Sequence, residues 1–165
     1  MGGAAKHMKH IWEAKELTFQ DLKDLILLTL HSELESKITE KFDGQNLMVT
    51  WRDGELKGAR NKTHLKNRGE KALNIQQMEE FFEGRGEIQK LFVGAMKDLQ
   101  LSMIRSNLDL DKFFKKGKIW LNIEIIYLEN LNVIPYEYNQ ICLHHFRKIN
   151  KDGEVVDIHN KKLKK

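Results

Sequence analysis

The dipeptide Asp53-Gly54 stands between two extended-looking runs, Leu47-Met48-Val49-Thr50-Trp51 on one side and Glu55 to Asn61 on the other. Asp-Gly so flanked is the strongest short-range hairpin signal, because its central positions must take up a left-handed backbone that matches strand twist. Valine, threonine and tryptophan favour a pleated, half-buried surface, so the first run reads as a strand. A hairpin folding at this point pairs residues whose numbers sum to about 107. That register returns Arg60 beside Leu47 and commits the chain to an antiparallel sheet.

The remaining elements follow from periodicity and punctuation. Thr18 with Asp21 three residues on resembles a capping box, and a helix is expected from there to about Ser36. Its apolar positions Phe19, Leu22, Leu25, Ile26 and Leu30 mark it as a packing helix. Two further helices are expected over Asn74–Glu83 and Glu87–Arg105, separated by Gly84-Arg85-Gly86, and a shorter one over Asp109–Lys115, ended by Gly117. Strands are expected at Lys37–Lys41, Lys118–Leu128 and Asn139–Ile149, and an Asn150-Lys151-Asp152-Gly153 turn leads into a last one at Glu154–Ile158. The fold class is α+β, a mainly antiparallel sheet with packed helices.

With 165 residues, 41% of them hydrophobic, the chain is long enough for one domain with a real core. That domain is expected over residues 8–160, with Met1–His7 a leader or expression sequence and Lys161–Lys165 a basic tail. The single cysteine, Cys142 in Ile141-Cys142-Leu143, excludes an internal disulfide and reads as a core residue in a reducing compartment. No apolar run approaches the ~18 residues of a membrane span, so a cytoplasmic protein is expected. The net charge of +4 permits an anionic partner without demanding one.

Chemistry concentrates in Lys41-Phe42-Asp43-Gly44. A lysine beside an acid, in a turn that exposes backbone N–H groups, suits a covalent nucleophile for a phosphate-containing substrate. Downstream, Arg60, Lys62, His64, Lys66 and Arg68 form a basic run with no acid until Glu70, which reads either as a phosphate-gripping loop or as a solvated one. Glu124 stands between Ile123 and Ile125, unusual company for a carboxylate. Strand alternation puts it with Trp120 and Asn122 on one face and Leu121, Ile123 and Ile125 on the other. If that strand is covered, Glu124 requires partners. His144 and His145 are expected on opposite faces of their strand. Without a completing cluster of cysteines or acids, no metal site is assigned to them.

Taken together, Ser36 to Ile149 resembles the covalent nucleotidyltransferase superfamily of ATP-dependent RNA and DNA ligases and capping enzymes. The likeness is strongest to ligase-like proteins of tailed bacteriophages through Glu40–Trp51, Gly58–Glu70 and Gly84–Glu87. The resemblance implies that Lys41 attacks the α-phosphorus of ATP and carries AMP, with Asp43 and Glu124 as the other catalytic residues. It further implies nucleotide contacts from Gly44, Asn46, Arg60 and either His144 or Phe146. Lys62, Lys66 and Arg68 would then hold phosphate or nucleic acid. ATP and Mg²⁺ are the implied cofactors, RNA or DNA ends the implied partners, and the cytoplasm of an infected bacterium the implied location. Asn46 resembles the RNA-ligase branch more than the DNA-ligase branch.

Two departures qualify the likeness. Ile123 occupies a position where the superfamily has glycine. Asp152-Gly153-Glu154-Val155-Val156 and Lys162-Leu163-Lys164 resemble the terminal phosphate-contacting motifs but lie too close to Glu124, so the chain reads as a shortened or reduced domain. The alternatives are therefore a ligase-fold phage protein that binds nucleotide or nucleic acid without catalysis, or a phage interaction protein.

Overall fold

The structure is a computed structural model that describes residues 15–31 and 42–159. The chain divides into two compact units, and each is treated by itself. The unit of residues 7–42 contributes one described helix, α1 (Phe19–Leu30). Its Thr18 N-cap and Asp21 bond reciprocally, which is the capping box expected from the sequence. Its apolar positions Phe19, Ile26 and Leu30 are exposed. The expected strand at Lys37–Lys41 lies outside the described residues, as do Ser36 and the Lys161–Lys165 tail.

The larger unit is built on a five-stranded, all-antiparallel sheet, in the order β2-β1-β3-β4-β5. Strand β1 (Gln45–Arg52) turns at Asp53-Gly54 into β2 (Glu55–Ala59), and both turn residues have positive φ, 58° and 79°. Met48 faces Ala59 and Val49 faces Gly58, the register expected from the turn. Between β2 and β3 (Ile119–Ile126) the chain forms α2 (Lys62–Gly69), α3 (Ile75–Phe81), α4 (Glu87–Arg105) and α5 (Leu110–Phe114). The basic run expected as a loop thus begins as a helical turn. Asn61 caps it by accepting the His64 N–H, and the helical path ends at Lys66, whose backbone is extended, before Asn67 and Arg68 turn left-handed.

β1 and β3 read as near-continuous apolar runs because both faces are covered. On one face Leu47, Val49, Leu121 and Ile123 meet Phe92 and Met96 of α4 and Met78 of α3. Gly58 sits beneath this layer, where a Cβ would fall 2.7 Å from Met78 Cε. On the other face Met48, Ala59, Leu65, Ala72, Trp120 and Ile149 form a smaller cluster. That second cluster covers only the end of the sheet near the β1–β2 turn. The opposite end of the same face carries the polar side chains Asn46, Asn122 and Glu124. Strands β4 (Gln140–Ile149) and β5 (Val155–His159) extend the sheet beyond β3.

Candidate functional site

At the polar end of the sheet, neighbouring strands align Asn46 with Glu124 and Glu124 with Cys142. Cys142, expected in the core, is half-buried on this side instead. The turn entering β1 lies tightly against β3. A Cβ on Gly44 would stand 2.5 Å from the Ile125 carbonyl oxygen and 2.9 Å from Glu124 Cγ. Glycine is required here by close approach, and the approach lets the Gly44 N–H donate to Glu124 Oε1 at 2.8 Å. The other oxygen, Oε2, pairs with His144 Nε2 at 3.1 Å. Glu124 therefore has the partners its apolar neighbours demand, one from the backbone turn and one from β4.

Asn46 donates its amide to Asn122 Oδ1 at 3.0 Å and to the Ile123 carbonyl at 3.2 Å. Its own Oδ1 is buried and has no hydrogen-bond donor among the described residues. A buried acceptor left in this state costs about 1–3 kcal/mol, so the site favours any ligand that brings an N–H or O–H to it.

Asp43 is tied down rather than free. Val133 N–H donates to its Oδ2 at 2.8 Å, the Asn132 amide donates to its carbonyl at 3.1 Å, and its own N–H donates to Tyr136 Oη at 2.8 Å. The loop between β3 and β4 is thereby buckled onto the Asp43-Gly44 turn. Asn132 and Tyr136 escaped the sequence reading because this segment, around Pro135, has no periodicity, and only its turn-forming composition marked it.

His144 and His145 do not lie on opposite faces. Asn122 pairs with His145 and Ile123 with Leu143, so His144 is the extra residue of a β-bulge, which resets alternation and brings both imidazoles to the Glu124 side. His145 Nε2 accepts from Arg147 Nε at 2.5 Å. Burial, then the Arg147 charge, then His144 push the His145 pKa down, so it stands as a neutral ring. Phe146 falls on the other face, buried edge-on against Phe113 and Phe114 at centroid distances of 5.2 and 6.2 Å. It is a core residue remote from Glu124, which leaves His144 as the ring beside the carboxylate.

Arg60 reaches the expected end of the sheet but lies on its helix side. Its Nη1 donates to the Asn46 carbonyl, and the guanidinium sits 4.4 Å from the Phe92 ring centroid. Burial lowers its pKa, although a guanidinium stays protonated. Among the described residues no carboxylate pairs with it. Lys62, by contrast, is paired with Glu154 at 3.0 Å. Lys66 and Arg68 lie at the far end of the sheet, where Arg52 Nη1 donates to the Asn67 and Arg68 carbonyls, each at 3.0 Å. Asn46 and Arg52 are separated by about 20 Å of strand. Of the basic run, Arg60 thus reaches the Gly44–Glu124 end, whereas Lys66 and Arg68 do not.

Lys41 lies outside the described residues. A separate cleft of about 360 Å³ opens on the helix side between α4 and the adjoining ends of β3 and β4, lined by Leu91, Gly94, Ile125, Tyr127 and Gln140 among others. Asn46, Glu124 and His144 do not line it. Among the described residues no helix is long and apolar enough to cross a membrane.

The molecule is thus an α+β protein in which helices pack on a five-stranded antiparallel sheet with one polar end. No family model, curated protein or solved structure matches the chain.

Proposed function

We propose that this chain is a nucleotidyltransferase of the ATP-dependent polynucleotide ligase type, in which Lys41 becomes covalently adenylylated. One observation carries the reading: Glu124 clamps the Gly44 N–H of the turn that directly follows Lys41, beside the buried, donor-less Oδ1 of Asn46. A fixed turn, a held carboxylate and an acceptor awaiting a donor suit a nucleotide whose sugar hydroxyls or base amine complete the set. In the reaction the neutral Lys41 amine attacks the α-phosphorus of ATP. A P–N bond forms, the bond from that phosphorus to the pyrophosphate oxygen breaks, and the amine proton passes to solvent. Arg60, cationic and without a carboxylate among the described residues, is the phosphate-binding group of this reading. Among the described residues no three histidine, cysteine or acidic side chains gather to hold a cation.

A second reading, nucleotide binding without transfer, is favoured by one feature: Arg60 and Glu124 occupy different sides of the sheet. Incubation with α-labelled ATP and Mg²⁺ or Mn²⁺ separates the two. Label that survives denaturation supports transfer, whereas saturable binding of ATP with no retained label supports the second reading. Absence of both overturns the proposal.

A further inference from the structure

The end of the sheet opposite Glu124 gathers turns that are remote in sequence. Asn67 N–H donates to the Lys151 carbonyl at 2.7 Å, which joins the left-handed turn after α2 to the β4–β5 turn. The Lys115–Lys118 turn docks against the same place. Gly117 approaches Arg68 so closely that a Cβ would fall 2.0 Å from the Arg68 carbonyl oxygen, and Ile149 N–H donates to the Lys118 carbonyl at 2.9 Å. These contacts bring Lys66, Arg68, Lys115, Lys116, Lys118 and Lys151 to one end of the molecule. All five lysines are exposed, and Arg68 is half-buried. Among the described residues none of the six forms an ion pair.

Among the described residues the nearby acids form no ion pair with any of the six cations. Asp53 is held by Arg52 at 3.0 Å, while Glu70, which accepts from the Asn67 amide at 3.0 Å, and Asp152, next to Lys151 in sequence, keep their charges. Arg68, Lys115 and Lys116 also hold φ values of 61°, 52° and 50°, a backbone region that glycine occupies more readily. Long cationic side chains thus stand at positions where their backbone is disfavoured.

We infer that this basic end is a docking surface for the phosphate backbone of a nucleic acid, independent of base sequence and separate from the Gly44–Glu124 end. A polynucleotide offers regularly spaced phosphates to cations held at fixed positions by tied turns, and counterion release then drives binding. Nothing in this inference depends on transfer chemistry at Lys41.

Fluorescence anisotropy of the full chain with a labelled single-stranded oligonucleotide, titrated across salt concentrations without ATP, tests it. Six phosphate contacts give a log–log salt slope of about −4, a loss of roughly 300-fold between about 50 and 200 mM salt. The Lys115→Gln/Lys116→Gln variant should reduce the slope by about 1.4, leaving a loss of roughly 50-fold, and Lys151→Gln alone should reduce it by about 0.7. A control with the same charge change on α4, Lys90→Gln/Lys97→Gln, should keep the wild-type slope. Circular dichroism checks that each variant is folded. Three results would overturn the inference: no binding at low salt, an equal slope in the Lys115/Lys116 variant and wild type, or binding to anionic lipid vesicles but not to the oligonucleotide.

Discussion

Gly44 and Gly94 should respond to alanine in opposite directions. At Gly44 a Cβ would meet a backbone oxygen at 2.5 Å, closer than atoms tolerate, and the carbonyl of a central strand has little freedom to retreat. Moving the turn away would also lengthen the Gly44 N–H bond to Glu124 Oε1. Overpacking costs about 1–3 kcal/mol and a lost bond to a carboxylate about 1.5–3. Because one displacement relieves the clash and breaks the bond, the two costs overlap, and the net loss should be about 2–4 kcal/mol. Gly94 lies inside α4, and a Cβ there meets nothing within 4 Å. Alanine should stabilise it by about 0.5–1 kcal/mol through helix propensity alone. In urea unfolding with a slope near ~2 kcal/mol/M, Gly44→Ala should lower the midpoint by about 1–2 M and Gly94→Ala should raise it by a few tenths. A Gly44→Ala midpoint equal to wild type would refute the close packing of the Asp43-Gly44 turn on β3.

The remaining predictions address the core, the histidines and the carboxylate. Thr50 is fully buried and donates to the Ile119 carbonyl at 2.7 Å, so Thr50→Val should cost about 1 kcal/mol in the same assay; an unchanged midpoint would show that this bond contributes nothing. Burial pushes the His64 and His145 pKa values below the ordinary 6.5. As pH falls through that value the unfolded chain takes up protons before the folded one, so stability should drop from there down to the folded-state values and stay flat above. The urea midpoint should be lower at about pH 5.5 than at about pH 7.5, and His64→Gln should shrink the difference; a higher midpoint at the acid end would contradict the burial. Glu124→Gln keeps an acceptor for Gly44 but loses the charge, and should slow labelling by ATP while sparing the fold. Labelling at the wild-type rate would remove Glu124 from the chemistry.

Much of this architecture was legible in the residues, and the limits have physical causes. The Asp53-Gly54 turn set the β1–β2 register because a two-residue hairpin leaves no freedom in pairing. Helix α4 was legible over its whole length, Glu87–Arg105, because its apolar stripe is long and regular. Alternation in β3 correctly separated Asn122 and Glu124 from the core-facing isoleucines. It failed one strand away, where the bulge at His144 reset the period, an event that a pattern of two cannot register. The course of the basic run was hidden for a different reason. Consecutive cations suggested one grip, but the chain folds Lys66 and Arg68 back to the far end of the sheet, and that course depends on contacts with Arg52 and Lys151. The ties from Asn132, Val133 and Tyr136 to Asp43 are equally non-local, spanning about ninety residues of chain, beyond any local pattern.

The most direct test of the central proposal is to locate the adduct. The full chain is incubated with α-labelled ATP and divalent metal, denatured, digested and mapped by mass spectrometry. The account predicts an adenylyl group on the peptide containing Lys41, released by acid as a P–N bond requires, and absent from Lys41→Ala. An adduct on another residue, or none at all, would contradict it.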